Sequence, residues 1–103
     1  MDLQTVLCAR PGQLSTRVGG ETAILSCAQG VYFGVNATGT RVWSLLQRPV
    51  RVGDVLNQLL SEFDVDPERC REDLLGFLQH LLRSELVEVR VETTEPSEPS
   101  VGP

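Results

Sequence analysis

The hydrophobic period changes once along this 103-residue chain, at Asn36. Before Asn36, apolar runs of strand length sit between glycine and proline breaks. After it, apolar residues recur every three or four positions, the spacing of one helix face. Strands first and helices second is the mark of an α+β domain, with helices packed on one face of a small antiparallel sheet. A chain of this length makes one domain at most and buries roughly two thirds of its surface. That supports one small core and no deep active site with many walls.

The pattern predicts three strands and three helices. Residues 3–9 (LQTVLCA) read as a short strand broken by Arg10-Pro11-Gly12. Residues 22–28 (TAILSCA) follow the Gly19-Gly20 turn signal, and Gln29-Gly30 reads as a tight turn into VYFGV, residues 31–35. Two strands joined by two turn residues predict an antiparallel hairpin. Asn36 is a favoured N-cap for a helix that carries Val42, Trp43, Leu45 and Leu46 and ends near Gln47. Trp43 is its core anchor. A second helix runs from about Val52 to Phe63, with Val52, Val55, Leu56, Leu59, Leu60 and Phe63 on one face. Asp66-Pro67 opens a third as N-cap and first helical residue, and it runs to about Ser84. Residues 86–91 read as either a last strand or an extended tail. One domain is expected over residues 1–91. Residues 92–103, rich in Pro, Ser and Glu, bury too little to offset their ordering entropy and read as a disordered tail.

Composition narrows the function classes. Asp and Glu number 14 against 9 basic residues, all arginine, for a net charge of -5. That balance argues against nucleic acid, whose affinity rests on a basic footprint. No apolar run approaches the ~20 residues of a membrane span, and no secretory signal opens the chain. Cys8, Cys27 and Cys70 are odd in number and form no C-x-x-C, so they read as small core residues in a reducing cytoplasm. His80 is the only histidine and has no ligand set around it; it reads as a solvent-facing helix residue. It stands ten residues from Cys70, on the order of 15 Å along one helix, so the two form no thiol–imidazole pair. Asp64 and Asp66 read as capping residues, and no glycine-rich phosphate loop is present. No cofactor, metal or catalytic constellation is implied, and binding is the expected role rather than enzyme activity.

The third helix is the most informative element. At roughly 100° per residue, Cys70, Leu74, Phe77 and Leu81 fall together and are expected to face the core, with Leu78 at the edge of that stripe. Arg71, Leu75, Leu78 and Leu82 form a second strip beside it. A wide core face is the plain explanation; a groove is the functional one. The strand 31–35 has no Pro, Lys or other charge to block edge pairing, and Gly34 allows close backbone approach. An extended peptide that added to this edge would lay alternate side chains on the leucines. Phe33 and Val35 are expected inward and Tyr32 outward.

Two separated patterns carry a family resemblance. Tyr32 to Leu46 (YFGVNATGTRVWSLL) matches an aromatic, a small residue, aliphatic-Asn, a Gly, aliphatic-Trp and Leu-Leu; FDVDPE follows, and Asp73, Leu74, Phe77, Leu78 and Leu81 match the later pattern. The stretch from Val31 to Val89 resembles the PqqD-like proteins, the recognition elements for precursors of ribosomally synthesised and modified peptides (RiPPs). Arg51-Val52-Gly53 departs from the pattern, where a Thr or Ser cap is usual. The resemblance implies a winged helix-turn-helix-like fold with a three-stranded antiparallel sheet and no catalysis. It implies binding of a precursor leader peptide as a strand beside residues 31–35, and delivery to a leader peptidase or modifying enzyme. Carried over by position, the peptide site is Val31, Tyr32, Phe33, Gly34, Arg71, Leu75, Leu78 and Leu82. Lasso-peptide biosynthesis is favoured over a PQQ-pathway chaperone that works with a radical SAM enzyme. A winged-helix DNA-binding regulator shares the topology, but the third helix mixes Glu68, Glu72 and Asp73 with leucines and is wrongly charged for that task. The open edge also leaves room for a homodimer.

Overall fold

A computed structural model describes residues 1–26 and 29–90. The elements are β1 (Val6–Ala9), β2 (Gln13–Val18), β3 (Glu21–Ser26), β4 (Val31–Val35), α1 (Ala37–Leu45), β5 (Val50–Arg51), α2 (Val52–Glu62), α3 (Pro67–Arg83) and β6 (Val87–Arg90). The α+β class, the three-stranded antiparallel sheet and the three helices are as expected, but the strands are divided differently. The antiparallel meander is β2–β3–β4, and a second three-stranded sheet has the order β5–β1–β6. The first expected strand therefore belongs to the second sheet, and β2 takes its place beside β3. Nearly all of β2 is exposed, so no alternation of buried and polar residues marked it. The end of the expected strand 22–28, the core role of Cys27 and the tail at 92–103 lie outside the described residues.

The helix starts follow from local chemistry. The Gly39 amide donates to Asn36 Oδ1 at 2.8 Å, and the Arg69 amide donates to Asp66 Oδ2 at 2.9 Å. Each cap satisfies one of the four amides a helix start leaves unpaired. At α2 the N-cap is Arg51, with no side-chain bond. Backbone carbonyls replace it: the Val52 amide donates to Thr5 O and the Gly53 amide to Leu3 O, both at 2.9 Å. A Cβ on Gly53 would lie 3.1 Å from Leu3 O, so the glycine admits this approach. At the other end of α3, Glu85 is left-handed (φ 61°), the Glu85 amide donates to Leu82 O and the Leu86 amide to Leu81 O. These are the two bonds of a Schellman stop, and Leu86 is fully buried beneath it.

One core joins the layers. Leu7 of β1, Ile24 of β3, Leu46 after α1, Leu78 and Leu81 of α3 and Leu86 are all fully buried. Trp43 is 6% exposed and anchors α1, as its size predicts. A buried bond from the Thr40 hydroxyl to Thr22 Oγ1 (2.8 Å) pins α1 to β3.

Two consequences for stability arise here. Gly76 sits inside α3, exposed, with nothing within 4 Å of the place an alanine methyl group would take. Gly76→Ala should raise the melting temperature by about 2–8 °C, since the helix gains about 0.5–1 kcal/mol. A thermal melt checks it. On the α1–α2 surface, Arg41 bonds Glu62 through two nitrogens, the shorter contact 2.8 Å, and Gln58 donates to the same carboxylate. Arg41 first and Gln58 second hold the Glu62 carboxyl down to about 2 from 4.5. A carboxyl depressed on folding stabilises above its unfolded pKa and loses that contribution as pH falls through the folded one. The stability gap between wild type and Glu62→Gln should therefore be fully present above pH 4.5 and close as pH falls towards 2. The pair is solvent-exposed, so the gap should be small and shrink in high salt. Denaturant melts across that pH range test it.

Candidate functional site

β4 is an edge of its sheet. It pairs with β3 on one side, from Thr22↔Val35 to Ser26↔Val31, and among the described residues no strand pairs with its other side. Val35 is buried, Phe33 half-buried and Tyr32 is 72% exposed, so the alternation along β4 is as the sequence predicts. Beside β4 lies α3. The Gln29 side chain donates to Ser84 O at 3.1 Å, which brings the start of β4 close to the end of α3. The Phe33 and His80 rings meet edge-to-face, with centroids 6.0 Å apart.

Between β4 and α3 runs a cleft of about 440 Å³. Tyr32, Phe33, Gly34 and Val35 line one wall, Phe77, His80 and Leu81 the other, and Asn36 closes one end. Past Asn36 and Phe77 it leads to a cavity of about 390 Å³. Val42, Leu59, Val65 and Leu74 make this cavity apolar, while Thr38, Arg69 and Asp73 are polar lining residues. Arg69 and Asp73 approach to 3.8 Å in an exposed pair. Cys70 also lines the cavity, and burial, then the Asp73 charge, push its thiol pKa up. The thiol is thus held in its neutral form, a small apolar wall rather than a nucleophile. Among the described residues no three His, Cys, Asp or Glu side chains come together as metal ligands.

The buried stripe of α3 runs through Leu74, Leu78 and Leu81. It is turned roughly 40° around the helix from the expected stripe, towards Leu78. This one rotation rearranges the expected site. Leu78 leaves the groove strip and becomes a fully buried core residue. Cys70 and Phe77 are partly buried against the core, as expected, and they also line the cavity and cleft. Arg71, Leu75 and Leu82 lie about 120–160° around the helix from Phe77, on the flank away from the cleft. Leu75 and Leu82 are half-buried there against the core, and Arg71 is exposed. Of the expected set, Tyr32, Phe33 and Gly34 do line the cleft, and Val31 stands at its end of the same strand, 44% exposed. His80, expected to face solvent alone, is exposed yet forms part of the cleft wall.

The family model for coenzyme PQQ synthesis protein D (PqqD) matches residues 21–87. The chain belongs to the PqqD family. That match takes in β3, β4 and all three helices, so both the cleft and the cavity lie within the PqqD-like region. Among solved structures, TbiB1 in complex with the TbiA(beta) leader peptide is similar with a TM-score of 0.73 and 30% identity, over 82% of this chain and 99% of that one. A lasso peptide synthetase B1 complexed with the leader peptide has a TM-score of 0.69 and 20% identity, over 80% and 96%. The second likeness is one of fold. A search of curated proteins finds no match. Among the described residues no helix of this PqqD-family chain is long and apolar enough to cross a membrane.

Proposed function

We propose that this chain is a non-catalytic recognition element that binds the leader segment of a ribosomally made precursor peptide. The leader adds as a strand to the free edge of β4. Its backbone pairs with β4, and its alternate side chains drop into the cleft against Phe77, His80 and Leu81. The apolar cavity beyond Asn36 takes a bulky side chain of the same peptide. The working surface is thus Val31 to Gly34 with Phe77 and His80, while Arg71, Leu75, Leu78 and Leu82 contribute through the core or not at all. The bound precursor is then delivered to a leader peptidase or modifying enzyme.

The observation that carries this reading is an unblocked edge strand lying over an apolar cleft. The leader-peptide complex of TbiB1, 30% identical to this chain, supports it and favours lasso-peptide biosynthesis together with the B1 structure. The name of the matching family model favours a second reading, a PQQ-pathway peptide chaperone. Fluorescence polarisation with labelled leader peptides encoded beside this gene separates the two. Saturable binding with a Kd of ~0.1–10 μM, roughly -7 to -10 kcal/mol, is expected for the matching leader. Absence of saturable binding to every such peptide, by a folded protein, would contradict the proposal.

A further inference from the structure

The β2–β3–β4 sheet is attached to the rest of the molecule differently at its two ends. Cross-strand partners share a face, and Thr22, Ile24 and Ser26 are buried, so the inward rows are Gln13–Ser26–Val31, Ser15–Ile24–Phe33 and Arg17–Thr22–Val35. The second and third rows rest on the core. Ile24 is fully buried, Val35 is buried, and the Thr40 hydroxyl bonds Thr22 from α1. The Gln13–Ser26–Val31 row has no buried apolar side chain.

Two glutamine side chains hold that end instead. Gln29 Nε2 donates to Ser84 O at 3.1 Å, and Gln13 Nε2 is shared between Glu85 O at 3.3 Å and Leu86 O at 3.2 Å. The acceptors are three successive carbonyls at the stop of α3, which the fully buried Leu81 and Leu86 fix in the core. Ser26 links the two donors. It pairs with Gln13 across the sheet, and its Oγ accepts the Gln29 amide at 3.3 Å.

These bonds satisfy no buried group that needs them. Leu86 O already accepts the Arg10 amide at 2.9 Å, and the bonds to Ser84 O and Glu85 O are exposed. Gln13 Oε1 is buried and accepts no hydrogen bond among the described residues, an arrangement that lowers stability. What the bonds do fix is a distance. They span the Val31 end of the cleft, between the strand that binds the peptide and the helix of the opposite wall.

We propose that Gln13 and Gln29, on the leader-binding reading above, are positioning residues that set the width of the peptide cleft. They hold β4 and α3 at the spacing of the Phe33–His80 contact, 6.0 Å between centroids, before a peptide arrives. The peptide then meets its backbone partner and its side-chain wall already in place, so less ordering opposes binding. Without the two bonds the sheet swings about its Val35 end and the cleft widens.

The test is the double variant Gln13→Met/Gln29→Met, because methionine keeps the length and loses the N–H donor. Gln13 lies on β2, two strands and about 10 Å from the edge where the peptide adds, so it does not touch the peptide. The chain has one histidine, so its ring protons give an unambiguous NMR signal from the cleft wall. The melting temperature should stay within about 3 °C of wild type. Leader affinity should fall about fivefold or more, near the factor of one neutral hydrogen bond. The His80 ring signals of the peptide-free protein should shift as the Phe33 ring moves away. Gln13→Met alone should change affinity and His80 signals in the same direction. Wild-type affinity in the double variant would overturn the inference. So would a loss of affinity with unmoved His80 signals, or one that a fall in melting temperature explains. Absence of leader binding by the wild type would instead remove the reading beneath, and unmoved His80 signals in the variants would still overturn the clamp.

Discussion

Phe77→Ala should weaken leader-peptide binding by about 30-fold or more, an effect of about 2 kcal/mol or greater, typical of a buried aromatic at an interface centre. Phe77 is the α3 side chain that lines both the cleft and the cavity, so a bound peptide has to pass over it. Its ring also closes on α1: a Cβ on Gly39 would lie 3.2 Å from Phe77 Cζ. Truncation joins the two spaces and removes the surface on which a side chain packs. The residue is only half-buried, so the variant should remain folded by circular dichroism. Leu75→Arg is the matching control. It changes the flank about 160° away from Phe77, and affinity should stay within threefold of wild type. Polarisation titrations of both variants check the pair. Equal affinity of Phe77→Ala and wild type would remove the cleft from the account.

Leu78→Ala should cost about 3–5 kcal/mol of folding stability, the range for a leucine deleted from a packed core. Leu78 is fully buried, at the centre of the cluster that joins α3 to both sheets. A small domain has only about 5–15 kcal/mol in total, so the variant sits near the limit of folding. Its melting temperature should fall by roughly 15–30 °C. Any loss of peptide affinity should follow the unfolded fraction and recover on cooling. A groove residue would behave in the opposite way, with a small thermal shift and a lasting loss of affinity. Thermal melts alongside low-temperature titrations distinguish the two roles.

Local signals carried the helices and one hairpin. Asn36 and Asp66 cap through their own side chains, and Pro67 is pre-set for a first helical position, so each start is written within a few residues. Tyr32 outward with Phe33 and Val35 inward followed from strand alternation alone. The second sheet had no such signal. β1 pairs with Val50–Arg51 and Val87–Arg90, some 40 and 80 residues downstream, and no turn sequence joins them. β5 is two residues long and gives no period to read. The start of α2 shows the same limit: its cap is the Leu3 and Thr5 carbonyls, supplied by tertiary contact rather than by a Ser or Thr. For α3 the apolar arc is wide, and both flanks carry large apolar residues. Which flank meets β4 depends on a rotation of roughly 40°, less than half a residue step. The periodicity defines an arc, and the burial of Leu74, Leu78 and Leu81 in the shared core cluster fixes its centre.

Strand addition at β4 is the central claim, and amide hydrogen exchange reads it most directly. With leader peptide bound, the amides of Val31 to Val35 that point to the free edge should exchange far more slowly, because each gains a backbone partner in the added strand. The cleft side of α3 around Phe77 and His80 should show smaller changes. Unchanged exchange along β4 in a saturated complex, with protection confined to the flank of Arg71, Leu75 and Leu82, would contradict the account.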